Sequence, residues 1–179
     1  SKTKAICVVH VLGNAGYIEE IRDICRKKNL WLIEDTCESL GVKNKNKYLG
    51  TFGDIGTYSF YFSHHMTTIE GGMIVTNDDY IANKIKSLRS HGWTRDMDDA
   101  EMYERQFPEI DPRFLFVNVG YNLRSTDMNA AIGLVQLKKL KKYNESRHQI
   151  GLIWNKAFLH LKKKGLFFPM EVTKNTKAS

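Results

Sequence analysis

Two short apolar runs with an amphipathic stretch between them constrain this chain most. Ala5-Ile6-Cys7-Val8-Val9 reads as a short buried strand, and Leu30 to Glu34 as a second one ending in Asp35. Between them His10 to Gly16 forms a loop. Ile18, Ile21, Ile24 and Cys25 then recur at helical spacing, which predicts a helix over Tyr17 to Lys28. A β-α-β unit of this kind needs a parallel sheet and a right-handed crossover. Ligands of such sheets gather at the carboxyl ends of the strands, where Asp35 stands.

At 179 residues the chain can bury one sizeable core, or one domain plus part of another. No apolar run approaches the roughly 20 residues of a spanning helix. The start of the chain shows no apolar signal core, so a cytoplasmic location is expected. The net charge is +7, with lysines concentrated at Lys43 to Lys47, Lys138 to Lys142 and Lys162 to Lys164. These read as solvated turns and helix faces. No aromatic residues interleave with them for base stacking, so nucleic acid is not an expected partner. A positive field also suits an anionic substrate. Cys7, Cys25 and Cys37 form no C-x-x-C pair and read as reduced packing residues; three cysteines are too few for a four-cysteine iron–sulfur site.

Further along, Lys43 to Lys47 is a polar turn and Gly53-Asp54 another. Strands are predicted at Gly56 to Tyr61 and Gly72 to Thr76. Asn77 or Asp78 caps a helix running to about Ser90. Residues 91 to 119 read as a long irregular stretch. A helical pattern restarts after Ser125 and runs, with a break near Tyr143, to Lys164. The polar tail from Lys174 to Ser179 reads as frayed.

Ser59-Phe60-Tyr61-Phe62-Ser63-His64-His65 followed by Glu70-Gly71-Gly72 carries the chemistry. It resembles the cofactor-lysine segment of the DegT/DnrJ/EryC1/StrS nucleotide-sugar aminotransferases, which use pyridoxal phosphate (PLP). Ile33-Glu34-Asp35-Thr36-Cys37-Glu38 and Gly120-Tyr121-Asn122-Leu123-Arg124 resemble two further motifs of that family, in its order and spacing. Counting from Ser59 puts His64 where the family has lysine; His65 is the alternative, one residue out of register. An imidazole cannot make the covalent link that a lysine makes with an aldehyde, but it can take and return a proton near neutral pH.

The resemblance implies an α/β fold, the three-layer α/β/α, mostly parallel sheet of the family's large domain. It implies residues 1–145 as part of that domain and 146–179 as the start of a small C-terminal one, within a longer enzyme. It assigns Asp35 to the pyridine nitrogen, Cys37 to the ring face and Glu38 to the ring hydroxyl. Ser59 falls to the cofactor phosphate and Asn122 to the phosphate of a partner subunit, within a homodimer that shares its active sites. Arg124 and His65 fall in the phosphate or substrate region. With histidine for lysine, the chain is most similar to the family's nucleotide-sugar 3-dehydratases. These would use PLP and its amine form, pyridoxamine phosphate (PMP), on a nucleotide-diphosphate sugar, with glutamate restoring the amine and His64 as base. Arg89 to Asp96 is followed by no cysteine, which points to the kind without an iron–sulfur cluster. Neither a metal nor a membrane is implied. A sugar aminotransferase of the same fold and an inactive homologue with a scaffold role stand as alternatives.

Overall fold

The first β-α-β unit forms where the apolar runs place it. The computed structural model describes residues 2–169 and Thr176. Strands β1 (Ala5–Val9) and β2 (Trp31–Asp35) flank helix α1 (Ile18–Lys28). Helix α1 ends on Asn29, which takes the left-handed conformation (φ 51°). A short polar side chain tolerates this better than most. A small hairpin, β3 (Lys43–Asn44) and β4 (Lys47–Tyr48), replaces the simple turn expected there. Strands β5 (Ile55–Ser59) and β6 (Gly72–Thr76) complete a sheet of order β1-β2-β5-β6. β1, β2 and β5 are parallel, with Val9 beside Asp35 and Asp35 beside Thr57.

By its contacts the chain divides into one unit of Ser1–Val75 with Asp127–Ser179 and a second of Thr76–Thr126. In the first, the sheet has two unlike faces. Leu32 and Glu34 in β2 are wholly buried, as is Gly56 beside them in β5. Ile18 and Cys25 of α1, with Val42, Leu49 and Phe52, make the core on that side, and Ile6 and Val8 pack against it. Alternation along a strand sends Cys7, Val9, Trp31, Ile33, Asp35, Thr57 and Ser59 to the other face. That face is largely open: Val9 is 49% and Trp31 47% exposed. This corrects the reading of Ala5 to Val9 as a buried strand. β1 is an outer strand covered on one side, so Cys7 is exposed while Cys25 is buried as expected.

Helix α4 (Asp127–Lys162) runs for 36 residues without the expected break near Tyr143. Asn144 holds that point, its amide donating to the Leu40 carbonyl at 2.8 Å. Leu140, one turn earlier, lies against Gly41. Tertiary contacts of this kind override a weak local preference. The tail from 174 to 179 lies outside the described residues apart from Thr176.

In the second unit the Asp78 side chain accepts the Ile81 N–H and starts helix α2 (Asp79–Leu88), as the sequence predicts. The stretch expected to be irregular contains helix α3 (Ala100–Gln106) and a 3-10 turn at Pro112–Phe114. Thr94 is buried, with its N–H on the Leu115 carbonyl, and Trp93 stacks on Phe116. Among the described residues no helix is long and apolar enough to cross a membrane.

Candidate functional site

Consecutive residues of β2 have opposite fates. Glu34 points into the core and has no exposure, yet it is not stranded. One carboxylate oxygen accepts the N–H groups of Phe52 and Gly53, each at 2.6 Å. The other accepts from Gly50 N–H at 2.8 Å and from His10 Nε2 at 2.9 Å. Burial alone would raise this carboxyl. The His10 bond and the N–H groups of Gly53 and Gly50 more than offset that and hold it below the usual range. The sequence reading gave Glu34 no role, although Gly50, Gly53 and His10 were all visible in it.

Asp35 stands on the open face, half-buried, at the carboxyl end of β2. Its Oδ1 accepts the Cys37 N–H at 3.0 Å, and its own carbonyl accepts the His10 N–H. Cys37 is half-buried, and its thiol is pushed up to about 11 by burial, by its hydrogen bond to Asp35 and by the charges of Asp35 and Glu38. It therefore stays a neutral thiol at neutral pH. Glu38 accepts the Leu12 N–H at 2.9 Å and so ties the Val11–Gly13 turn, where Leu12 holds a left-handed backbone (φ 52°), to the loop after β2.

Ser59 ends β5 on the same face as Asp35, two residues past its neighbour Thr57. Its hydroxyl oxygen accepts the Tyr61 N–H at 3.2 Å and turns the chain out of the sheet. The segment that follows is a closed loop. Phe60 N–H donates to the Gly71 carbonyl and Thr68 N–H to the Phe60 carbonyl, which seals the neck. Gly71 is required there, since a Cβ would lie 2.3 Å from Thr68 Oγ1. Helix α4 braces the loop: Asn129 Nδ2 donates to the Thr68 carbonyl at 2.6 Å. Gly133, one turn on, leaves room for Thr68 and Met66.

His64 and His65 sit on the outer bend of this loop, both half-buried. His64 N–H donates to the Tyr61 carbonyl, and its ring meets the Tyr61 ring edge-on, 6.0 Å between centroids. Burial first, then the charges of Arg147 and His64, push His65 down to about 4, against an opposing pull from Glu38. A histidine in that state is neutral and a weak proton acceptor at neutral pH. Asp35, Cys37, Glu38, Ser59, His64 and His65 thus all belong to the first unit, and His65 lies within electrostatic reach of Glu38 and Arg147. Arg147 was not among the expected residues, because nothing in a single sequence links position 147 to position 65.

Asn122 and Arg124 belong to the second unit. Both are exposed. Asn122 pairs with Ser90 in a β-bridge, and Leu123 N–H donates to the Arg89 carbonyl, which fixes the strand-like path between them. Among the described residues no group of three or more His, Cys, Asp or Glu side chains could hold a metal ion.

Can this unit accept a phosphorylated pyridine? The open sheet face presents a half-buried carboxylate at Asp35 and a hydroxyl at Ser59 at its strand ends, and the loop after β2 adds a small uncharged thiol at Cys37. These match a ring nitrogen, a ring face and a phosphate in chemical type, so the residues fit the group.

The family model of the DegT/DnrJ/EryC1/StrS aminotransferase family matches residues 1–178. The GDP-4-keto-6-deoxy-D-mannose 3-dehydratase of Yersinia pseudotuberculosis is 41% identical over 160 residues, covering 88% of this chain and 40% of the relative. The GDP-perosamine synthase of Escherichia coli O157:H7 is 36% identical over 156 residues, covering 87% of this chain and 39% of that protein. A crystal structure of GDP-4-keto-6-deoxymannose-3-dehydratase with a trapped PLP-glutamate geminal diamine superimposes with a TM-score of 0.75 at 40% identity, covering 87% of this chain and 41% of that one. The chain spans about two fifths of the length of the curated relatives it matches.

Proposed function

The chain belongs to the DegT/DnrJ/EryC1/StrS aminotransferase family, and on that premise we propose that it is part of an enzyme that removes the 3-hydroxyl of a nucleotide-linked 4-keto-6-deoxy sugar. The observation that carries this reading is a braced loop bearing His64 and His65, with no lysine anywhere from Ser59 to Gly72. The loop keeps the family's frame and loses the residue that amino transfer depends on.

PLP in its amine form would be held by Asp35 at the ring nitrogen, Cys37 at the ring face and Ser59 at the phosphate, with Glu38 beside the ring hydroxyl. Asn122 and Arg124 would serve the phosphate region of a partner subunit in a homodimer. When bound, this group supplies an amine for the keto sugar and a ring able to take up an electron pair. Asp35 would keep the ring nitrogen protonated, because a carboxylate beside it favours the charged form. His64 would take up a proton at the cofactor's methylene carbon and would donate one to the departing hydroxyl. His65, held neutral, supports this division of roles, since a group near 4 is poorly matched to a base working at neutral pH. Glu38 fixes the Val11–Gly13 turn next to the loop after β2.

The substrate of this reading is a nucleotide-diphosphate sugar, with glutamate restoring the amine. The setting is cytoplasmic surface-polysaccharide synthesis, and no iron–sulfur cluster takes part. Residues 1–145 would be part of the large cofactor domain and 146–179 the start of the smaller one. The synthase relative favours a second reading, amino transfer to the same class of sugar. The full protein, incubated with PLP, glutamate and GDP-4-keto-6-deoxymannose, separates the two. Release of a 3-deoxy-4-keto sugar is the expected result. An amino sugar that keeps its 3-hydroxyl would establish the second reading and overturn the first.

A further inference from the structure

The loop from Phe60 to Gly71 is held from outside itself by helix α4, and the bond that holds it involves a residue with no assigned role. Asn129 lies in the first turn of α4. Its Nδ2 donates to the Thr68 carbonyl at 2.6 Å and approaches the Glu70 carbonyl at 3.4 Å. Both partners are acceptors, so the amide nitrogen, not the oxygen, must face the loop.

Thr68 is the hub of the loop neck. It is 7% exposed, its N–H donates to the Phe60 carbonyl, and its hydroxyl donates to the Glu70 carbonyl at 2.8 Å. A shift of Thr68 therefore moves both ends of the neck. The two histidines lie between those ends, three and four residues before Thr68. Gly133, buried on α4 one turn beyond Asn129, lets the helix approach within contact of Thr68 and Met66. The helix thus grips the loop at two successive turns, one polar and one steric.

We infer that Asn129 is a positioning residue for the histidine loop, acting through the Thr68 and Glu70 carbonyls to fix where His64 stands. The inference rests on the reading of His64 as the base. Its physical content is separate: an uncharged double donor on a rigid helix holds the neck of a loop that carries the proton-transfer group. Asparagine suits this task where aspartate of the same shape does not. A carboxylate would set an acceptor against two acceptors and drive the neck away from α4.

The test uses the full protein with PMP and the sugar substrate, and the variants Asn129→Asp, Asn129→Ala and Asn129→Gln. Three readouts are taken: amide hydrogen exchange across residues 60–71, the affinity for PMP, and kcat and KM separately. The expected result is exchange about tenfold faster in the Asp and Ala variants, from loss of one strong hydrogen bond at the neck. Their kcat falls by up to about a hundredfold, the size of a small misplacement of a reacting group. KM and PMP affinity stay within about threefold, and Gln, which keeps the donor, recovers most of kcat. Unchanged exchange in Asn129→Asp overturns the inference, as does an equal fall in kcat, substrate affinity and PMP affinity, which marks general structural damage. If the Asp and Ala variants do not fold, Asn129→Gln decides it: wild-type exchange across residues 60–71 with most of kcat kept supports the inference, and wild-type exchange with kcat lost overturns it. Full activity in His64→Asn overturns the reading of His64 as base, while the exchange result still decides whether Asn129 holds the loop.

Discussion

His10 Nε2 lies 2.9 Å from Glu34 Oε2, and neither side chain has any exposure to solvent. With three backbone N–H groups on the same carboxylate, the ionised form is the one the fold is built around. Facing an ionised carboxylate, Nε2 is the nitrogen that donates, and Nδ1 is left buried without a hydrogen-bond partner among the described residues. The pair ties the start of the 10–16 loop and the turn at Gly50 to Gly53 beneath the strand end that presents Asp35.

Glu34→Gln should destabilise the protein by about 3 kcal/mol or more, since a buried pair loses its charge while the donors remain. The sign of the pH effect follows from the lowered carboxyl. The unfolded chain binds a proton at the ordinary carboxylate range and the folded one only below it, so stability is full above that range and falls as pH drops through it. Denaturant melts of wild type and Glu34→Gln at pH 7 and at about pH 4 check this: the gap between them should narrow in acid. An equal gap at both pH values would mean that Glu34 is not ionised in the fold.

His65 gives a second, separate pH signature. Its folded value near 4 lies below that of a free histidine, so between roughly 6.5 and 4 the unfolded chain takes up a proton that the folded chain refuses. Stability is therefore lost as pH falls through this window. Imidazole NMR should show His65 still neutral at pH 5.5, and His65→Asn should flatten the stability profile between pH 4 and 6.5. A His65 signal titrating near 6.5 would refute the burial argument.

For the proton transfer itself, His64→Asn should keep PMP and sugar binding and lose about two to four powers of ten in turnover. His65→Asn should cost far less. The direct measurement is exchange of the PMP methylene protons with deuterated water in the presence of a 4-keto sugar. Exchange lost in His65→Asn and kept in His64→Asn would move the role by one residue.

Asp35→Asn tests the charge proposed beside the ring nitrogen. The amide oxygen can still accept the Cys37 N–H, so stability should change by less than about 1 kcal/mol. Turnover should fall by about a hundredfold, in line with losing one fixed electrostatic contact to a developing charge. Calorimetry and steady-state rates on the same preparation check both halves. Near wild-type turnover would remove Asp35 from the ring.

How much of this was readable beforehand differs by element. β1, α1, β2, β6 and the Asp78 cap are local events, set by apolar spacing and one side chain, and they fall within a residue or so of expectation. The exposure of Cys7 was not readable, because burial of a strand depends on what covers each face. α3 was missed since its seven residues carry no clear apolar period. The unbroken run of α4 through Tyr143 depends on Asn144 reaching Leu40, a contact 104 positions away in sequence. Among the candidate site residues, Asp35, Ser59 and the histidines were visible through motif. Glu34 and Asn129 were not, since most of their partners are backbone groups that leave no mark on composition, and His10, the one side chain on Glu34, lies 24 positions away in sequence.

The two carboxylates of β2 are adjacent in sequence and separated only by the pleat. A one-residue deletion in β2 ahead of Glu34 would therefore send aspartate into the cage built for glutamate and glutamate out to the open face. The strand tolerates no such slip by one, even though both carboxylates would survive it. The Lys45–Asn46 turn is exposed and outside the four-stranded sheet, so a change of length there leaves both carboxylates of β2 in register. Length variation among natural or engineered forms of this protein should be found there, and β2 should read as a segment of fixed count.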